Sequence, residues 1–238
     1  MNLSLCALLL FGGTAPFLIS KISAAEHPAL SPQEYIKETY FSPKKDTPLL
    51  QHTYGDPLTS QAVLLVFSSL TCPVCNLFHT DVLPKLEDDI KNKTLSVIVR
   101  DYPADPLSLK ASSIMWANGA EKNKELEKKV LATHMKWIKE SEEKSLEELN
   151  ALISDSLVTP EEKTSAAKAP SDREWLEKVF NHRNKDKKAL GIEHVPAAWL
   201  ILKNKKDPQH YDLIEIKDIK DFKAIQLLIE ESKNQPPR

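Results

Sequence analysis

Apolar runs of strand length punctuate the chain, and helical periodicity fills the space between them. Residues 62–67 (Ala-Val-Leu-Leu-Val-Phe) and 95–99 (Leu-Ser-Val-Ile-Val) are bounded by polar residues and too short for core helices, so each reads as a buried strand. Residues 197–202 and 212–217 predict two further strands, and 47–53 predicts an edge strand ahead of the turn Tyr54-Gly-Asp-Pro57. Directly after the first buried strand, Leu77, Phe78, Val82, Leu83, Leu86 and Ile90 fall on one helix face, in a helix that Pro84 should kink. Helices are predicted at about 105–119, 121–140, 146–157 behind Ser145-x-x-Glu148, and 172–190 behind Ser171-x-x-Glu174. Ser31-Pro32 opens a short capped helix, and 219–232 forms a last one with Phe222, Ile225, Leu228 and Ile229 on one face. Residues 159–170, rich in Pro, Ala, Lys and Glu, read as a mobile linker. Trp116, Trp137 and Trp175 lie on apolar stripes and read as core. Trp199 reads as strand core, with a place beside the cysteine pair described below as the other reading.

The amino end carries a different signal. Residues 3–19 are rich in Leu, Ala and Phe, and Ser23-Ala24-Ala25 supplies small residues before Glu26, the pattern of a secretory leader cleaved after Ala25. Gly12, Gly13 and Pro16 interrupt the run below the ~20 residues of a spanning helix, although an uncleaved anchor is the alternative. The expected organisation is a signal peptide at 1–25, an N-terminal extension at 26–45, one large domain, and a polar tail at 234–238. Cys6 leaves with the leader, so the exported chain keeps Cys72 and Cys75 alone. With 32 Lys and Arg against 34 Asp and Glu, the near balance of charge argues against nucleic acid as a partner.

Cys72-Pro73-Val74-Cys75 sits at the turn from the first buried strand into the helix. A helix amino end offers free N–H groups and a positive dipole, which stabilise a thiolate, so Cys72 is the expected acidic thiol. Pro73 fits the first helical position, where its missing N–H has no intrahelical partner. Cys75 lies one turn further in and is placed to resolve a mixed disulfide. Zinc binding by the pair needs two more ligands, and no second Cys-x-x-Cys or His-x-x-x-His is present. A purely structural bridge at this spacing closes almost no loop and constrains the unfolded chain little.

Phe67-Ser-Ser-Leu-Thr-Cys-Pro-Val-Cys75, Arg100-Asp-Tyr-Pro103 and Gly191-Ile-Glu-His-Val-Pro196 together resemble the DsbA-like thiol:disulfide oxidoreductases of the thioredoxin superfamily. The resemblance implies an α/β thioredoxin-like fold built from residues 46–103 and 187–233, with a helical subdomain inserted at 104–186. It implies a cis Val195–Pro196 bond lying against the cysteines. The expected site is then catalytic Cys72 and Cys75, supported by Pro73, Val74, Val195 and Pro196, with no cofactor and no metal. The implied activity is export-compartment disulfide formation: reduced, unfolded exported proteins give electrons to the pair, and a membrane redox partner re-oxidises it. The absence of room for an N-terminal dimerisation module favours a monomer in the periplasm or another exported location. Alternatives are a reductase or isomerase, or a thioredoxin-like module holding Cu(I) with Cys72, Cys75 and His79.

Two positions depart from the family pattern. An acidic residue is often found six positions before the first cysteine, where this chain has Val66, so a buried proton acceptor must come from elsewhere; Asp101 is the candidate. The dipeptide between the cysteines is Pro-Val rather than Pro-His, which removes a donor to the thiolate. His79, one turn beyond Cys75, reads as a surface-helix histidine, with partial replacement of that donor as the other reading.

Overall fold

A computed structural model of the protein describes residues 30–41, 50–118, 120–157, 159–203 and 211–234. The leader, residues 26–29 and 42–45 of the N-terminal extension and the residues after 234 lie outside the described residues. The strands are β1 (Gln51–Tyr54), β2 (Ala62–Ser68), β3 (Leu95–Asp101), β4 (Ala197–Lys203) and β5 (Tyr211–Ile216). They form one five-stranded mixed sheet in the order β1-β3-β2-β4-β5. β2 and β3 pair in parallel at its centre, and the other neighbours are antiparallel. Every residue of β2 and β3 is buried, which explains why both read as nearly unbroken apolar runs.

The helices are α1 (Pro32–Ile36), α2 (Pro73–Leu77), α3 (Glu87–Lys91), α4 (Pro106–Trp116), α5 (Ala120–Ala132), α6 (His134–Trp137), α7 (Glu142–Ser154), α8 (Pro160–Lys168), α9 (Arg173–Leu190) and α10 (Phe222–Asn234). One sheet face, with Leu64, Val66, Val97 and Val99, packs on Phe78, Val82 and Leu86 of the helical stretch after Cys75 and on Ile225 and Ile229 of α10. The other face, with Val63, Leu65, Phe67 and Ile98, packs on Ile36, Tyr40 and Ile192. Helices α4 to α9 enclose a separate apolar core around Trp116, Val130, Trp137, Leu149 and Ile153. Gly191 ends α9 with φ of 67°, a left-handed conformation that glycine adopts without strain, and turns the chain back toward β4.

Several sequence expectations are corrected. Residues 159–170 are no linker: Thr159 and Glu162 form a capping box, Pro160 takes the first helical position, and α8 buries Ala166 in the helical core. Ser145 does not open α7. Ser141 does, accepting from the Lys144 N–H, while Ser145 is buried and its hydroxyl accepts from the Lys139 N–H at 2.9 Å. Asp172 rather than Ser171 caps α9, accepting from the Trp175 N–H at 3.0 Å. The helix expected over 121–140 breaks at Thr133 into α5 and α6. Trp116 and Trp137 are buried as expected, and Trp175 is half-buried with its indole N–H on Ser113 O at 2.9 Å. Trp199 takes the strand-core place, edge-on to Phe67 with ring centroids 5.5 Å apart.

Candidate active site

β2 delivers the chain through Ser69, Leu70 and Thr71 to Cys72, whose extended backbone makes it the N-cap of α2. Its sulfur takes the role a Ser or Asp oxygen plays at other helix starts, accepting the Cys75 N–H at 3.2 Å. Pro73 occupies the first helical turn, as its missing N–H allows. Thr71 Oγ1 donates to Asp105 Oδ2 at 2.5 Å, and Asp105 also caps α4, so the loop before Cys72 is tied to the first helix of the helical layer.

Cys72 is half-buried, Cys75 is fully buried, and both are free thiols. Their acidities are driven apart. The Cys72 thiol is lowered to about 6, first by the Cys75 thiol donating to its sulfur and then by the Cys75 and Val74 N–H groups, against the opposing effect of burial. The Cys75 thiol is pushed far up, mainly by burial and then by the bond it gives Cys72, while the Ser69 N–H and the Ser68 hydroxyl work the other way. The Val195–Pro196 bond is cis, and the Val195 carbonyl oxygen accepts from the Cys72 thiol at 3.7 Å. Val74 and Leu77 are 38% and 42% exposed, so an apolar rim flanks the half-buried sulfur.

The helix after Cys75 does not simply kink at Pro84. It widens first: the Leu83 N–H reaches back five residues to Phe78 O, a π-type turn spans Phe78–Val82, and a 3-10 turn containing Pro84 leads into α3. Proline supplies no N–H and crowds the carbonyl four residues earlier, so the preceding turn opens.

His79 is not a surface histidine. It is buried, its Nε2 lies 3.1 Å from Ser68 Oγ, and burial lowers its pKa to about 3. The spacing held a signal for this, because residue 79 is four on from buried Cys75 and shares its helix face. The ring therefore does not hold the Cys72 thiolate in place of the missing dipeptide donor. Nor is the Cu(I) ligand set formed: among the described residues no group of three His, Cys, Asp or Glu is arranged to hold a metal ion.

Asp101 is buried at the end of β3, in register with Ser68, and burial raises its carboxyl to about 6. Its Oδ2 accepts the Trp116 indole N–H at 3.0 Å, and its charge bears on Glu127 of α5, itself raised well above the usual range by burial. His52 of β1 completes this layer, with Nε2 3.1 Å from Glu127 Oε2 and its ring stacked on Trp116. His52 and Glu127 are polar residues of the buried layer that carry no motif and that sequence reasoning passes over, and Ser68 lies in the motif before the cysteines without being singled out.

A mixed sheet of this order, with a cysteine pair at the amino end of the helix after β2 and a helical layer between β3 and β4, defines a thioredoxin-like fold of the DsbA type. A family model described as thioredoxin matches residues 49–217, and the chain belongs to that family. Its fold is similar to that of alpha-DsbA1 from Wolbachia pipientis, at 22% identity over 76% of this chain and 89% of that chain, with a TM-score of 0.63. It is also similar to oxidised BdbD from Bacillus subtilis, at 16% identity over 78% and 94% of the two chains and a TM-score of 0.58. MdbA from Actinomyces oris, a thiol-disulfide oxidoreductase, matches at 12% identity over 76% and 87%, with a TM-score of 0.53. No curated protein sequence matches the chain.

Proposed function

We propose that the protein is an exported thiol:disulfide oxidoreductase that introduces disulfides into reduced, unfolded proteins through Cys72 and Cys75. The observation that carries this reading is the divided acidity of the pair, with Cys72 at about 6 and Cys75 pushed up by burial. A Cys72 thiolate that is mostly ionised at neutral pH stabilises the reduced protein relative to its disulfide, which favours passing the disulfide on. A substrate thiolate attacks Cys72, the half-exposed sulfur, and Cys75 leaves. A second substrate thiolate then displaces Cys72, and the substrate departs oxidised. Val74 and Leu77 give an unfolded chain apolar footing beside Cys72, and Pro73, Val195 and Pro196 frame the sulfur. The protein then needs an oxidant, for which a membrane redox partner in the same compartment is the proposed source. The apolar leader and small-residue cleavage pattern of residues 1–25 support export, and we take the protein to act as a monomer without cofactor.

The test is oxidative refolding of a reduced, unfolded enzyme whose activity depends on its disulfides, with oxidised protein as the only oxidant. Stoichiometric recovery of activity, lost in Cys72→Ala, is the expected result. Reduction of insulin at a high rate with no recovery of the unfolded enzyme would instead make the protein a reductase.

A further inference from the structure

Opening the Cys72–Cys75 disulfide places an electron pair on a sulfur that the fold buries completely. A thiolate without solvent is expensive, so Cys75 needs a proton as it leaves. The position two residues earlier on β2 than Ser68, from which a carboxylate could reach this spot, is the apolar Val66. Ser68 itself has its hydroxyl toward the Cys75 sulfur, and that hydroxyl lies 3.1 Å from His79 Nε2. The other ring nitrogen, Nδ1, is buried and has no hydrogen-bond partner. The same ring forms part of the wall of a cleft of about 390 Å³ behind the helix, whose mouth carries the exposed residues Thr80, Glu87 and Lys128. Asp101 has one carboxylate oxygen held by Trp116 and acts on Glu127, and it is not among the groups that bear on the Cys75 thiol, whereas Ser68 is.

We propose that Ser68 and His79 form a proton relay between the Cys75 sulfur and the solvent of this cleft. The inference rests on the disulfide-exchange reading above. In the forward step a substrate thiolate forms a bond to the Cys72 sulfur, the Cys72–Cys75 bond breaks, and its electron pair goes to Cys75. The Ser68 hydroxyl gives its proton to Cys75 and takes one from His79 Nε2, while Nδ1, buried in the cleft wall and unpaired, takes one from a water admitted to it from the cleft. That proton replaces the one the substrate thiol released on ionising, so the exchange consumes none overall. His79 is neutral before and after, and only its tautomer changes. Burial suits it to this role, because a ring that resists a full positive charge can still pass a proton through. The titratable groups that face the ring are His52 on β1, itself paired with Glu127 of α5, and, across the cleft, Lys128 on α5 and Glu87 on α3. In the relay Ser68 is the group that meets the Cys75 sulfur, and His79 is a positioning residue that acts through Ser68.

The relay is tested on the oxidised protein by the single-turnover rate at which dithiothreitol opens the Cys72–Cys75 disulfide, with denaturation midpoints measured alongside. Ser68→Ala and His79→Gln are each expected to slow this step about a hundredfold, the lower end of the range for positioned proton transfer. The double variant is expected to be no slower than either single one, because both remove the same path. Ser68→Thr keeps the hydroxyl and is expected to keep the rate. In His79→Ala, imidazole added to the medium is expected to restore the rate, and 1-methylimidazole, the same ring with one nitrogen blocked by a methyl so that it cannot pass a proton between two nitrogens, is not. An unchanged rate in Ser68→Ala or His79→Gln, additive losses, or equal rescue by both imidazoles would overturn the relay. A parent protein that reacts with dithiothreitol as described yet fails to oxidise unfolded proteins would defeat the proposed function and leave the relay standing.

Discussion

Arg100 Nε lies 2.9 Å from Asp186 Oδ2, with both side chains fully buried. Asp186 Oδ1 also accepts the hydroxyls of Tyr35 and Tyr40, each at 2.8 Å, and Arg100 reaches His182 Nδ1 at 3.3 Å. One aspartate of α9 thus joins the central strand β3 to α1 and to the helical turn that follows it. The pair ties the helical layer to the sheet a short way from the cysteines, since Arg100 directly precedes Asp101 in β3.

Asp186→Asn is expected to destabilise the protein by about 3 kcal/mol or more, because it removes the carboxylate paired with the buried Arg100 cation. Urea denaturation followed by circular dichroism measures this. A loss below about 1 kcal/mol would mean that Arg100 finds other compensation and that the cluster contributes little to the joint.

The parts of this molecule legible in the sequence are those whose signal is local. The run from Ala62 to Phe67 reads as a buried strand because both of its faces are covered, and Cys72 as a thiol at the amino end of a helix because Pro73 and the following apolar spacing mark a helix start. Where tertiary context decides, the reading goes astray. His79 looks like a surface residue until Ser68 Oγ and the cleft wall near α5 close over it. Residues 159–170 have a disordered composition, yet the helix there rests on Thr159, Pro160 and Glu162 in capping positions and on Ala166 meeting the helical core. The Arg100–Asp186 pair is invisible for the same reason, since its partners are far apart in the chain and carry no shared motif.

The acidity of Cys72 should depend on its partner. The Cys75 thiol is the largest influence lowering it, so Cys75→Ala is expected to raise the Cys72 pKa from about 6, while the Cys75 and Val74 positions keep their N–H groups and hold it below the free value of ~8.5. Thiolate absorbance against pH reads the change directly. A value in Cys75→Ala equal to or below the parent's would show that the backbone alone sets the acidity.

Trapping should separate the two sulfurs. With Cys72 half-exposed and Cys75 fully buried, a substrate thiol is expected to reach Cys72 only. Cys75→Ala keeps the attacking sulfur but cannot resolve, so it is expected to accumulate mixed disulfides visible as a slower band on non-reducing gels. Cys72→Ala is expected to accumulate none. Adducts on Cys75 in the Cys72→Ala variant, mapped by mass spectrometry, would reverse the roles.

The buried carboxyl of Asp101 should make stability depend on pH with a definite sign. Burial raises it to about 6 in the folded protein, and the unfolded value is ~3.9. Between these values the folded state holds a proton that the unfolded state has lost, so stability falls as pH rises from about 4 to about 6 and is level above. Two units correspond to about 3 kcal/mol as an order of magnitude. Trp116 donates to Oδ2, an oxygen that asparagine retains, and the groups facing Asp101 are Arg100 and Glu127. Asp101→Asn cannot ionise and loses this contribution to the slope, while Glu127, raised in the same direction, leaves a remainder in both proteins. The stability of Asp101→Asn relative to the parent is therefore expected to rise by about 3 kcal/mol from pH 4 to pH 7. Urea titrations at both pH values provide the comparison. A difference that is independent of pH, or that falls as pH rises, would place the Asp101 carboxyl in a solvated or cation-paired setting and not in the dry layer between β3 and α5.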